Sequence, residues 1–239
     1  MRCRWPRAFQ DRRGDGADRC QYRDGRTRFS DSWPSAERER KLMFTGLIEE
    51  MGTLLDRSMT EGGATLTIEA AKVLEGVAFG DSIAVEGVCL SVTSFTPSQF
   101  TVGLAPETLS RTTLGALSFG APLNLERSLT PVSRMGGHYV QGHVDGTGRI
   151  HTVKADGDAL LIRIDCGPEL LKYIVPKGYI AVDGTSLTVI DVDDAGFTLT
   201  LIAHTQPLVT LGKKREGDPV NLETDILGKY AEKFLQGGK

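Results

Sequence analysis

The chain has 239 residues, room for one large or two small domains, and its 40% hydrophobic and 25% charged residues fit a globular protein. The net charge of −3 is uneven: residues 1–42 hold 12 Lys/Arg against 7 Asp/Glu, and the remainder holds 16 against 24. That acidic remainder gives no electrostatic reason to expect nucleic-acid binding, and no apolar run approaches the roughly 18 residues of a membrane-spanning helix.

Residues 1–42 are rich in Arg, Asp, Gly and Ser and lack apolar periodicity. The segment is expected to be a disordered tail or a mis-started extension, since it cannot bury enough surface to offset its ordering entropy. It has no apolar core of a secretory signal, and its acids argue against a transit peptide. Ordered structure is expected from Met43. The four cysteines, Cys3, Cys20, Cys89 and Cys166, have neither C-x-x-C nor zinc-type spacing. A disulfide scaffold is not expected, and a reducing, cytoplasmic compartment is.

From Met43 onward one unit is written twice. Ser82–Glu126 lies on Tyr179–Glu223 without a gap, with 18 identities in 45 positions. IAVEGVCLSV (83–92) falls on IAVDGTSLTV (180–189), FTVGLAPET (100–108) on FTLTLIAHT (197–205), and GAPLNLE (120–126) on GDPVNLE (217–223). FTGLIEEMGTL (44–54) also aligns with VQGHVDGTGRI (140–150). The expected domains are therefore 43–137 and 138–225, followed by a helix over 226–239. Within each unit, apolar residues alternate with small or polar ones, as at Leu90/Val92 and Phe100/Val102/Leu104, which predicts half-buried strands. Gly87 and Gly184 mark sharp turns. One short helical patch is expected per unit, at 70–77 and 168–175, with Pro168 at a first helical position. The fold class predicted is all-β: two tandem six-stranded Greek-key barrels related by internal duplication, with a short C-terminal α-helix. In 226–235, Ile226 or Leu227, Tyr230 and Phe234 share a face that either packs on its own barrel or joins subunits.

Familiar catalytic signatures are missing. There is no Walker loop, no G-x-S-x-G and no H-E-x-x-H, and GHVDGTG (142–148) is not followed by a long helical pattern. His138 and His143 lie five apart, on opposite faces of a strand, and make poor joint metal ligands. His143 falls opposite Leu47 in the repeat, so the barrel pattern does not demand it, and a histidine can move a proton near neutral pH. Small thiol and hydroxyl residues recur in register: Cys89 with Ser186, Ser91 with Thr188, Thr108 with Thr205. Tight barrel walls explain small residues singly; matched pairs suggest that both barrels cup similar ligands.

MFTGLIEEMG (43–52), EGVCLSV (86–92), ETLSRTTLG (107–115), GGHYVQGHVDG (136–146), KGYIAVDGTSLTV (177–189) and LGKKREGDPVNLETD (211–225), in that order, resemble the alpha-type riboflavin synthases. The resemblance covers nearly everything from Met43 onward. It implies two barrels per chain, a homotrimer and no metal or redox cofactor. It also implies a dismutation of two 6,7-dimethyl-8-ribityllumazine molecules into riboflavin and 5-amino-6-ribitylaminouracil. The site would lie between the N-terminal barrel of one subunit and the C-terminal barrel of another. By resemblance the N-terminal pocket uses Gly46, Leu47, Ile48, Ser82, Val88, Cys89, Leu90 and the stretch Gly103, Leu104, Ala105, Pro106, Glu107, Thr108. The C-terminal pocket uses Gly142, His143, Val144, Lys177, Ser186, Leu187, Thr188, Asp225 and the stretch Leu201, Ile202, Ala203, His204, Thr205, Gln206. The catalytic set implied is His143, as proton acceptor, with Ser82, Cys89, Ser186, Lys177 and Asp225. The alternatives are a non-catalytic lumazine- or flavin-binding protein of the same fold, or a flavin reductase of similar barrel type, which this chain would have to be without a nicotinamide domain.

Overall fold

The computed structural model describes residues 43–237; the expectations for residues 1–42 lie outside the described residues. β1 (Glu50–Thr60), β2 (Gly63–Glu69), β3 (Ser82–Val85), β4 (Val88–Phe95), β5 (Gln99–Leu104) and β6 (Pro122–Arg127) close an antiparallel barrel in the order β1-β2-β5-β4-β3-β6. β7 (Gly146–Asp156), β8 (Ala159–Asp165), β9 (Tyr179–Val182), β10 (Thr185–Val192), β11 (Gly196–Leu201) and β12 (Pro219–Thr224) close a second in the same cyclic order. β2 pairs with β5, and β8 with β11, across the intervening hairpin, which is the Greek-key link.

The period-two pattern works as predicted. Val88, Leu90 and Val92 enter the first core, while Cys89 and Ser91 stay on the outer face. Leu187 and Val189 enter the second core, while Ser186 and Thr188 stay outside. Phe100 and Phe197, fully buried, occupy equivalent places. Each such side chain contributes roughly 1.5–3 kcal/mol by leaving water. Matching bulges at Leu54/Asp56 and Ile150/Thr152, and at Val92/Ser94 and Val189/Asp191, bend the strands enough to close.

The helical expectations need correction. The 70–77 patch is only a 3-10 turn, Lys72–Leu74, and 168–175 shrinks to α2 (Pro168–Leu171). An unforeseen helix, α1 (Pro106–Arg111), follows β5. Pro106 presets its first turn and Glu107 pairs with Arg111 at 3.0 Å. α3 (Ile226–Leu235) is capped by Asp225, whose carboxylate accepts Leu227 N at 3.0 Å. Lys172 to Glu232 (2.7 Å), Tyr173 to Glu232, and Lys229 to Asp145 (2.6 Å) tie α3 to its own barrel. Leu227, Tyr230 and Phe234 remain exposed. No helix among the described residues is long and apolar enough to cross a membrane.

The barrels meet tip to tip. Glu86 (φ 48°) with Gly87 (φ 79°), and Asp183 (φ 46°) with Gly184 (φ 79°), form left-handed hairpin turns of the I′ kind. A Cβ on Gly87 would lie 2.6 Å from Gly184 N, so only glycine admits this approach. Asn124 Nδ2 donates to Asp183 O, and Asn221 Nδ2 donates to Glu86 O, each at 2.8 Å. Lys214 Nζ sits 2.7 Å from Asp183 and 3.7 Å from Glu86. Burial, reinforced by the Asp183 charge, pushes the Glu86 carboxyl up to about 8, against the pull of Lys214.

Candidate functional site

The candidate surfaces are built by an exchange. Gly46 (φ 77°) lays its carbonyl against the second barrel, accepting Ser186 N at 2.8 Å. Gly142 (φ 75°) does the same to the first barrel, accepting Cys89 N at 2.8 Å. Between them Phe44 N donates to Val140 O at 2.7 Å, and Val140 N returns to Phe44 O at 3.2 Å. Ile48 packs on the second core and Val144 on the first. By Glu49, whose N–H donates to Leu125 O at 2.9 Å, the chain is back on its own barrel.

This corrects the sequence-based grouping. Gly46 and Ile48 lie with Ser186 and the second core, not with Cys89; Gly142 and Val144, which flank His143, lie with Cys89 and the first core, not with Ser186. The reason is the left-handed glycine at each crossing. A Cβ on Gly46 would stand 2.6 Å from Ser186 N, and one on Gly142 would stand 2.6 Å from Cys89 Cβ. The 138–145 stretch is also not a regular strand, so face alternation does not apply to His138 and His143.

On the first barrel, Cys89 is half-buried, with Ser82 and the exposed His143 turn beside it. Burial pushes the Cys89 thiol up, Glu223 adds to this, and the Ser82 hydroxyl opposes it. A thiol held protonated is a weaker nucleophile than its thiolate. On the second barrel, Ser186 Oγ lies 2.7 Å from His138 Nδ1. The His138 ring stacks on Tyr179 with centroids 5.3 Å apart and planes 9° from parallel. Its buried Nε2 has no partner among the described residues, and burial lowers its pKa while Asp225 works against this. The sequence reading weighed His138 only as a metal ligand and missed its contact with Ser186. The signal was the preceding Gly-Gly: a Cβ on Gly137 would lie 2.0 Å from Thr45 O and 2.9 Å from Ser186 Cβ.

Lys177 holds φ 65° where the first unit has Gly80 at φ 83°. Their amides make equivalent bonds, to Val189 O (2.8 Å) and Val92 O (2.9 Å). A lysine in this left-handed conformation carries backbone strain of about 1–3 kcal/mol. Ser82 and Leu47 wall a cavity of about 670 Å³ with Glu126 and Arg127. Asp225 walls another of about 560 Å³ with Tyr179 and Leu227. Neither contains Cys89 or Ser186, which lie on outer strand faces, or His143, which lies on the turn before β7.

Other sequence-chosen positions divide clearly. Val88, Leu90, Leu104, Leu187 and Leu201 are core side chains and offer only backbone to a ligand. Gly103, Ala105, Pro106 and Glu107 are exposed, as are Thr188, Ile202, Ala203 and His204. Thr108, Thr205 and Gln206 are half-buried, and Gln206 Nε2 donates to Leu201 O and Asp158 O at 3.0 Å each.

Two strand-end carboxylates had no place in the sequence reading. Glu126 and Glu223 are buried, identical in the repeat, and each receives backbone amides of one crossing segment.

The family described as "Lumazine binding domain" matches residues 45–128 and again 141–225. A riboflavin synthase of Actinobacillus pleuropneumoniae is 49% identical over 193 residues, covering 81% of this chain and 90% of that protein. One from Schizosaccharomyces pombe is 50% identical over 196 residues, covering 81% and 94%. Among solved structures, LumP complexed with riboflavin superposes with TM-score 0.70 at 23% identity, over 76% of this chain and 99% of that one. LumP complexed with 6,7-dimethyl-8-(1'-D-ribityl) lumazine gives TM-score 0.69 at 22% identity, with the same coverage. These two likenesses establish the fold alone.

Proposed function

The chain belongs to the lumazine-binding family that includes the riboflavin synthases, and from that premise we propose that it converts two molecules of 6,7-dimethyl-8-ribityllumazine into riboflavin and 5-amino-6-ribitylaminouracil. It is an enzyme of the transferase class. A four-carbon unit passes from one lumazine to the other, and the exchange balances without an external oxidant.

One observation carries the reading: the chain has two matched yet unequal cups. In each, a crossing glycine carbonyl receives the amide of a small nucleophilic-type residue, Cys89 in one and Ser186 in the other. Two copies of one substrate suit two similar surfaces, while donor and acceptor roles suit their differences. His143 stands where the other copy has Leu47, and is the group that takes a proton from the acidic methyl of the donor ring. Ser82 or Cys89 supplies a nucleophile or positions water on the acceptor ring. Lys177 and Asp225 orient polar groups of the substrate. Holding two rings together converts a rare encounter into a local one, worth roughly 7–11 kcal/mol.

A homotrimer is part of the reading. The outer strand faces are open within one chain, and the exposed Leu227, Tyr230 and Phe234 of α3 form an apolar face suited to subunit contact. A cytoplasmic setting is consistent with Cys89 and Cys166 as free thiols.

The test mixes purified protein with 6,7-dimethyl-8-ribityllumazine and follows riboflavin absorbance. One riboflavin per two lumazines consumed supports the dismutation. Bound, unchanged, fluorescent lumazine rejects it in favour of a binding protein.

A further inference from the structure

His143 rides on an exposed turn, yet its main chain is held from below by a buried charge. Glu223, near the end of β12 and 3% exposed, accepts Gln141 N at 2.7 Å and His143 N at 3.0 Å. Its counterpart Glu126, on β6, accepts Thr45 N at 2.7 Å, Thr45 Oγ1 at 2.8 Å and Gly46 N at 3.0 Å. The copies differ at one point. In the first, the Thr45 hydroxyl receives the amide of Leu47 at 3.3 Å. In the second, Gln141 stands at the Thr45 position and has no hydroxyl, and the carboxylate reaches the amide of His143 directly.

We propose that Glu223 is a positioning residue for His143: its carboxylate fixes the 141–143 turn that carries the imidazole across the Cys89 face of the first barrel. The proposal rests on His143 as the proton acceptor. Only the ionised group presents acceptors to both amides; a protonated carboxyl turns one oxygen into a donor facing an N–H. Burial raises Glu223 to about 7, with the two amides and Lys229 of α3 opposing it and Asp145, ahead of β7, adding to it. Cys89 of β4 feels the same charge. Protonation of Glu223 therefore loosens the turn as pH falls through neutrality, and turnover falls with it.

The experiment uses the full chain with 15N-labelled amides and follows Gln141, whose N–H donates to Glu223 at 2.7 Å and whose own side chain does not titrate. The Gln141 amide is expected to shift with a midpoint near neutral pH, and to lose that titration in Glu223→Gln. In that variant kcat is expected to fall about 10- to 100-fold, as misplacement by an ångström does, with lumazine KM changed less than about twofold. Glu223→Asp, which keeps the charge, should restore a titration. Glu126→Gln should leave the Gln141 signal titrating. An unchanged kcat in Glu223→Gln, or a Gln141 amide that does not titrate in the unsubstituted protein, overturns the proposal; the latter stands even if the variants fail to fold. His143→Ala keeps the two ideas apart. Full turnover there removes the role of His143, whereas its loss beside an unaffected Glu223→Gln removes only the role of Glu223.

Discussion

Asn124 and Asn221 make the same two hydrogen bonds in opposite directions. Asn124 donates to Asp183 O and accepts Thr210 N; Asn221 donates to Glu86 O and accepts Thr113 N, all four at 2.8 Å. Each side chain is fully buried or nearly so and serves the barrel it does not belong to. Either substitution to alanine strands a carbonyl and an amide in the interface. At about 1–3 kcal/mol per stranded group, each should cost roughly 2–6 kcal/mol, read by denaturant unfolding. A loss in Asn124→Ala under about 0.5 kcal/mol, the scale of ordinary surface changes, would mean that the bonds do not hold the barrels together.

Gly142→Ala and Gly46→Ala should each damage one cup. The left-handed backbone alone costs an alanine about 1–2 kcal/mol, and the new methyl meets Cys89 or Ser186. We expect turnover to fall by about a hundredfold in Gly142→Ala, because the crossing that carries His143 is displaced. Steady-state assays with wild-type activity in that variant would refute the crossing's importance.

Lys177→Gly should move stability and activity in opposite directions. Relief of the left-handed lysine, about 1–2 kcal/mol, exceeds the added chain entropy of glycine, about 0.5–1 kcal/mol. Tm should rise slightly while kcat/KM falls. A less stable, fully active variant would contradict both halves of the argument.

Stability should fall as pH rises from about 5 to 8. Glu86 and Glu223 have folded pKa values raised to about 8 and about 7 by burial. Between the ordinary glutamate value and those values the folded chain binds more protons than the unfolded one. Their contribution is thus full below the unfolded pKa and lost as pH passes the folded one, with a slope of at most about 1.4 kcal/mol per pH unit for each proton. Glu86→Gln keeps an acceptor for Asn124 N and should flatten this slope. Chemical denaturation at several pH values measures it, and a slope unchanged by the substitution would place the titration elsewhere.

The duplication and the strand pattern were legible because both are written in side-chain periodicity: Val88/Cys89/Leu90 and Thr185/Ser186/Leu187 already alternate in and out. The residues of the cups were legible through family resemblance, but their grouping was not. Gly46 and Gly142 each sit close in sequence to their own barrel, and nothing local says that a left-handed turn sends the chain to the other one. α1 escaped because Pro106–Arg111 is too short for helical periodicity to show. Asn124, Asn221, Glu126 and Glu223 were visible as identities in GAPLNLE and GDPVNLE, yet the amides they serve lie about 80 positions away or more, beyond any local pattern.

The exchanged opening segments also set an order of assembly. As the chain leaves the ribosome, the first barrel can close its six strands once β6 has emerged, but Cys89 N waits for Gly142 and Thr113 N waits for Asn221. Gly46, made among the first of the described residues, waits for Ser186. The nascent first half is thus a closed barrel with a loose leading end and an uncovered face until the second half is made. Both cups are complete only once residues of both halves are present.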